Sequence, residues 1–166
     1  MPAAKPPHKN AEGVLDARHR VAMVELAIAD NPAFEMSTLE VERSGVSYTI
    51  DTIEILQQTY PGAEIYFIMG MDSIYILDTW KDIERLVLMC RFIVVTRPAY
   101  ELKRSDPAFQ AVPPEFWRRV GFLEIPAMDI SSTDLRTRVR QGKPIRYLLP
   151  PAVENYIYNH SLYQGV

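Results

Sequence analysis

The chain has 166 residues, a formal net charge of −3, one cysteine, and ordinary globular proportions of 48% hydrophobic and 23% charged residues. That length suits a single domain over 1–166, and the composition excludes a disordered chain. One cysteine excludes a disulfide framework, no Cys/His cluster has zinc-site spacing, and the mild acidity gives no overall nucleic-acid footprint. Residues 1–9 are basic and Pro-rich without an apolar core, so they do not read as a signal peptide. The longest apolar run, 86–95, is broken by Arg91 and is too short to span a bilayer. A soluble, cytoplasmic protein is expected, with Cys90 a small buried hydrophobe inside that run.

In chain order, residues 1–15 read as a loop punctuated by Pro2, Pro6, Pro7 and Gly13. Asp16 is placed to cap a helix over 17–29, with Met23, Leu26 and Ala27 on one stripe and Asn31-Pro32 ending it. Residues 34–36 and 38–42 read as short strands or one interrupted strand, followed by a turn at Arg43-Ser44-Gly45. Ile50, Ile53, Leu56 and Tyr60 recur at helical spacing, which predicts a helix over 49–60 stopped by Pro61-Gly62. Residues 65–69 form a continuous apolar run, the pattern of a strand buried on both faces. A helix over 82–89, a second strand over 92–96, a polar surface insertion over 99–114 and a short helix over 115–119 follow. The third strand covers 122–125. Ser131 and Ser132 cap a helix running to Gln141, with Gly142 at C′, and a last helix follows Pro150-Pro151 to about His160. Strands alternating with helices predict an α/β fold: a doubly wound parallel sheet covered on both faces.

Ligands of such sheets sit beyond the carboxyl ends of the strands. Three ends present polar groups there: Gly70, Asp72 and Ser73; Arg97; and the stretch 128–136. The strongest feature is Ser131-Ser132-Thr133-Asp134-Leu135-Arg136, where hydroxyls and first-turn amides make an anion site within reach of Arg136. A plain helix cap would look the same on spacing alone. Lys5-Pro6-Pro7-His8-Lys9 holds Lys9 on an extended loop, either as a phosphate contact or as a solvated charge. Ser47-Tyr48-Thr49, with Asp51 and Thr52, opens a helix as a cap or as a carboxylate site. Trp80, between Thr79 and Lys81, offers a stacking face or fills a half-buried core position.

Taken in order, six segments carry a resemblance over nearly the whole chain: Lys5–Lys9, Ser47–Thr52, Phe67-Ile68-Met69-Gly70-Met71-Asp72-Ser73, Thr79-Trp80, Arg97-Pro98 with Tyr100, and Ile130–Arg136. The sequence resembles the bacterial nicotinate-nucleotide adenylyltransferases of the nucleotidyltransferase superfamily, and Arg146-Tyr147-Leu148-Leu149-Pro150 onward also fits them. The resemblance implies a Rossmann-like fold and transfer of AMP from ATP to nicotinate mononucleotide, with Mg²⁺ carried by the triphosphate. It implies small-molecule partners only, no nucleic acid, no membrane and no protein-held metal, and it leaves a homo-oligomer open. It assigns Ser131, Ser132, Thr133 and Arg136 to the ATP phosphates, with Lys9 near them and Arg136 and Lys9 as the catalytic cations. Asp72 is assigned to ribose hydroxyls, Gly70 to close approach of the nucleotide, and Arg97 to the adenine border. Trp80 is assigned to the pyridine ring, and Tyr48, Thr49 and the backbone near Lys81 to the nicotinate carboxylate.

The family also carries a Gly-rich turn and an H-x-x-H pair that stabilises the departing pyrophosphate, in a first strand–helix–strand unit. Here His8, His19 and His160 form no such pair. That unit is therefore expected to be missing, and the 166 residues are expected to show little or no turnover. Another adenylyl- or cytidylyltransferase of the superfamily, or a non-catalytic nucleotide-binding module, are the alternative readings.

Overall fold

A computed structural model describes residues 1–5, 14–43, 45–96 and 109–164. The chain divides into two compact units: a central one, Val46–Ala127, and a terminal one made of Met1–Gly45 with Met128–Val166.

The central unit is built on a parallel sheet of β1 (Tyr66–Gly70), β2 (Arg91–Thr96) and β3 (Val120–Glu124), in that order. All three expected strands are present, with β3 starting two residues earlier than its pattern suggested. The register sets Phe67 beside Phe92 and Phe92 beside Val120, so their side chains share one face. That face packs on a core containing Ile50 and Ile53 of α3 (Thr49–Thr59), Leu86 and Val87 of α4 (Ile83–Met89), and Phe116 of α5 (Pro114–Arg119). In the chain-order labels used here, α1 and α2 precede these helices. Phe92 lies at its centre, with ring centroids 6.0 Å from Phe67 and 5.1 Å from Phe116.

Burial of β1 on both faces is corrected by the structure. Tyr66 is 50% exposed and Ile68 is 68% exposed, while Met69 is buried. Across the sheet, Leu123 of β3 is 53% exposed on the same face as Ile68. The apolar run 65–69 thus reflects one buried face and one open apolar face, which a run of hydrophobic residues cannot distinguish from two buried ones. Gly121 fits that open face, because a Cβ there would stand 3.1 Å from Ile93 Cδ1 of β2.

After β1 the chain turns into a 3₁₀ helix, Met71–Thr79, where the sequence predicts no element. Its buried residues Met71, Ile74 and Leu77 recur every third position, which matches three residues per turn. The expected surface insertion 99–114 is corrected at its end: Phe109 and Val112 are buried in the core. Its residues up to 108 lie outside the described ones.

In the terminal unit, α1 (Ala17–Ile28) begins where expected, with the Asp16 carboxylate accepting the Arg18 amide at 2.9 Å. Residues 34–42 contain no strand; instead Leu39–Glu42 forms a one-turn helix, α2. Its alternating Leu39-Glu40-Val41-Glu42 imitates a strand, but the Thr38 hydroxyl donates to Glu42 at 2.5 Å and closes a helical turn. Helices α6 (Ser132–Arg140) and α7 (Pro151–Asn159) supply Val139, Val153 and Ile157 to a second core with Ile145 and Leu162. Met23 of α1 packs against it.

Both long C-terminal helices end in the same hydrogen-bond pattern. After α6, Lys143 donates to the Arg138 carbonyl at 2.8 Å and Gly142 to Val139 at 3.0 Å, with Gly142 at φ +64°. After α7, Leu162 donates to Ile157 at 2.9 Å and Ser161 to Tyr158 at 3.1 Å, with Ser161 at φ +50°. These are Schellman closures, and the left-handed residue at C′ is ordinarily glycine.

Candidate functional site

The residues singled out for chemistry fall into two sets, one in each unit. Lys9 and Arg97 lie outside the described residues, as do His8, Pro98 and Tyr100.

In the terminal unit, the anion set is assembled at the start of α6. Ser131 is the N-cap, its hydroxyl accepting the Asp134 amide at 3.1 Å. Its carbonyl accepts the Leu135 amide at 3.0 Å. The amides of Ser132 and Thr133 precede the first intrahelical bond, so the helix itself provides them no acceptor. Arg136 folds back toward that turn, its Nη2 donating to the Thr133 hydroxyl at 3.2 Å. Amide dipoles, three hydroxyls and a guanidinium are therefore concentrated at one helix end, an arrangement that favours phosphate.

Beside this turn lies a cavity of about 380 Å³ whose walls include Ser132, Arg136, Arg20 and Tyr163 and are otherwise almost wholly aliphatic. Burial pushes the Tyr163 phenol above its ordinary value, partly offset by the nearby Arg136 and Arg20. Arg20 is engaged with the backbone, donating to the carbonyls of Ala3 at 2.6 Å and Leu15 at 3.0 Å. In the sequence Arg20 stands singly in an unremarkable helix and Tyr163 only within the family-like C-terminal stretch, both far in the chain from Arg136.

In the central unit, Gly70 ends β1 and Asp72 follows it, exposed, in the first turn of the 3₁₀ helix. A Cβ at Gly70 would meet nothing within 4 Å, so the backbone there borders open space. Tyr48 and Lys81, 33 positions apart, come together: the Lys81 ammonium lies 4.9 Å from the Tyr48 ring centroid. It also pairs with Asp51 at 2.7 Å. Thr49 is the first residue of α3, one position from Tyr48. Trp80 is half-buried against the core and meets Phe67 edge to face, with centroids 5.6 Å apart. Its indole Nε1 is buried and has no hydrogen-bond acceptor among the described residues, an arrangement that normally costs about 1–3 kcal/mol. Such an unpaired donor is an invitation to an acceptor from outside the chain, and no sequence pattern announces it. Among the described residues, no group of three or more His, Cys, Asp or Glu side chains is arranged to hold a metal ion. No helix among them is long and apolar enough to cross a membrane.

Comparison with known proteins identifies the family of the chain. The cytidylyltransferase-like family model matches residues 1–138. A relative from Moorella thermoacetica, named probable nicotinate-nucleotide adenylyltransferase, is 46% identical over 165 residues, covering 99% of this chain and 76% of its own. A relative of the same name from Herpetosiphon aurantiacus is 46% identical over 163 residues, covering 98% of this chain and 81% of its own. In structure, the chain is similar to nicotinic acid mononucleotide adenylyltransferase of Plasmodium falciparum complexed with NaAD, with a TM-score of 0.68 and 22% identity. That match covers 93% of this chain and 78% of the other; at that identity it supports the fold alone. The parallel α/β sheet, the capped helix and the relatives spanning almost all of these residues agree: the chain belongs to the nicotinate-nucleotide adenylyltransferases, within the cytidylyltransferase-like family.

Proposed function

We infer that this protein transfers AMP from ATP to nicotinate mononucleotide, giving nicotinate adenine dinucleotide and pyrophosphate. The observation that carries this reading is 46% identity across 99% of the chain to a relative named for that activity. In the reaction, a phosphate oxygen of the mononucleotide forms a bond to the α-phosphorus of ATP. The bond from that phosphorus to the bridging oxygen breaks, and pyrophosphate leaves. Such transfers need positioning and charge neutralisation more than covalent help from the protein.

The Ser132 and Thr133 amides, the hydroxyls of Ser131–Thr133 and the Arg136 guanidinium hold the triphosphate, with Lys9 beside it. Mg²⁺ arrives on the triphosphate as part of that substrate. Asp72 accepts hydrogen bonds from ribose hydroxyls, and Gly70 leaves room for the nucleotide against the backbone. Arg97 borders the adenine. Trp80 stacks on the pyridine ring. Thr49, Tyr48 and the backbone at Lys81 receive the carboxylate, while Asp51 neutralises the Lys81 ammonium and holds it over Tyr48. We read both units as one nucleotidyltransferase domain working in the cytoplasm.

The test is selectivity of binding. Nicotinate mononucleotide should raise the melting temperature more than nicotinamide mononucleotide or phosphopantetheine, and ATP with Mg²⁺ should raise it independently. Equal stabilisation by all three acceptors would overturn the substrate assignment.

A further inference from the structure

Away from both residue sets, α1 and α7 are joined by three side chains that the proposed reaction does not use. His19 of α1 lies with Nδ1 at 2.9 Å from the Tyr156 hydroxyl of α7. Tyr156 stacks against His160, with ring centroids 4.2 Å apart and planes tilted by 38°. The two imidazoles, 141 positions apart in the chain, have centroids 5.4 Å apart and planes 58° from parallel.

We propose that His19 and His160 form a two-imidazole site for a late first-row divalent cation, of the class of Zn²⁺ or Cu²⁺, with water completing the coordination.

Three observations support it. First, the spacing fits. Metal–nitrogen bonds of about 2.1 Å in tetrahedral geometry set two imidazole centroids roughly 5 Å apart, and the observed value is 5.4 Å. Second, one nitrogen of His19 already has an orienting partner. A ligating histidine typically donates its second ring N–H to a neighbouring oxygen, which fixes the tautomer and presents the other nitrogen's lone pair. With Nδ1 engaged by the Tyr156 hydroxyl, Nε2 is the His19 nitrogen left for a metal. Third, His160 is the C-cap of α7, at the negative end of the helix dipole, where added positive charge is favoured. His160 is exposed, so its ring can turn to close the site without disturbing the core. Imidazole is the side chain such cations prefer after thiolate, whereas Mg²⁺ and Ca²⁺ prefer oxygen. The site is therefore distinct in chemistry from the magnesium carried by a triphosphate.

The experiment uses the tag-free protein, titrated with Zn²⁺ by calorimetry and with Cu²⁺ by electron paramagnetic resonance. The expected result is one saturable site per chain and a copper spectrum showing coupling to two nitrogens. His160→Asn should weaken binding by at least about tenfold while the metal-free protein stays folded, because the residue is exposed at the end of α7. Tyr156→Phe should weaken it less, by freeing His19 to turn. The third histidine, His8, serves as control, and His8→Gln should bind as the parent does. Absence of saturable binding, full affinity in His160→Asn, or lost affinity in His8→Gln would each overturn the site. None of these readouts depends on adenylyl transfer, so the site and the proposed function fail separately.

Discussion

Arg136 reaches back one turn to Thr133, which keeps its guanidinium at the helix end where the amide dipoles point. Replacing it with alanine should weaken ATP binding by about tenfold or more, the usual loss for a charge-assisted hydrogen bond. The affinity for nicotinate mononucleotide should stay as it was. Calorimetric titration with each ligand checks this, and an unchanged ATP affinity would remove Arg136 from the site. Trp80 should behave in the opposite sense. Trp80→Ala should cost the pyridine substrate roughly tenfold through lost stacking and leave ATP nearly unaffected, whereas equal losses for both would mark Trp80 as a core residue only. Cys90 concerns stability instead. It is 3% exposed, and burial pushes its thiol up to about 11 from an ordinary 9.0. The folded protein therefore holds a proton that the unfolded chain releases first. Its contribution is fully present below pH 9 and is lost as pH rises from about 9 to 11. Denaturant titration over that window should show a decline of order 2 kcal/mol, absent in Cys90→Ala.

The helices show how well local signals read and where they stop. Asp16 before α1, Ser131 before α6 and Gly142 after it behave as their residue types predict, because each satisfies backbone groups within a few residues. The 3₁₀ helix Met71–Thr79 was not read, since a three-residue apolar spacing over only nine positions resembles an irregular segment. Helix α2 reads as a strand in sequence because a one-turn helix has no room to display its period. The end of α7 carries a testable cost. Ser161 holds a left-handed backbone at φ +50° in the position glycine occupies after α6. Ser161→Gly should stabilise the protein by about 1 kcal/mol, raising the melting temperature by roughly 2–4 °C in a chain of this size. A fall in melting temperature would show that the serine side chain makes up for the strain.

Across the whole molecule, the order of strands and the parallel sheet were legible because apolar runs and intervening helices are both local patterns. Which face of the sheet is covered was not, since Ile68 and Leu123 are as apolar as the buried Met69 and Phe92. The residues of the proposed site divide in the same way. Ser131–Arg136 announces itself as a contiguous motif, while the pairing of Lys81 with Tyr48 and the stranded Nε1 of Trp80 arise only when distant segments meet.

Among the described residues, β1 lies at the margin of its sheet. The Arg91 amide donates to the Ile65 carbonyl at 2.9 Å, and the parallel register that follows turns the amides of Phe67 and Met69 toward β2. Those of Tyr66 and Ile68 then face away from it. In deuterated water the strand should therefore exchange in alternation, with Phe67 and Met69 slow and Tyr66 and Ile68 fast. Uniform protection along all four would mean that another extended segment has zipped onto this border.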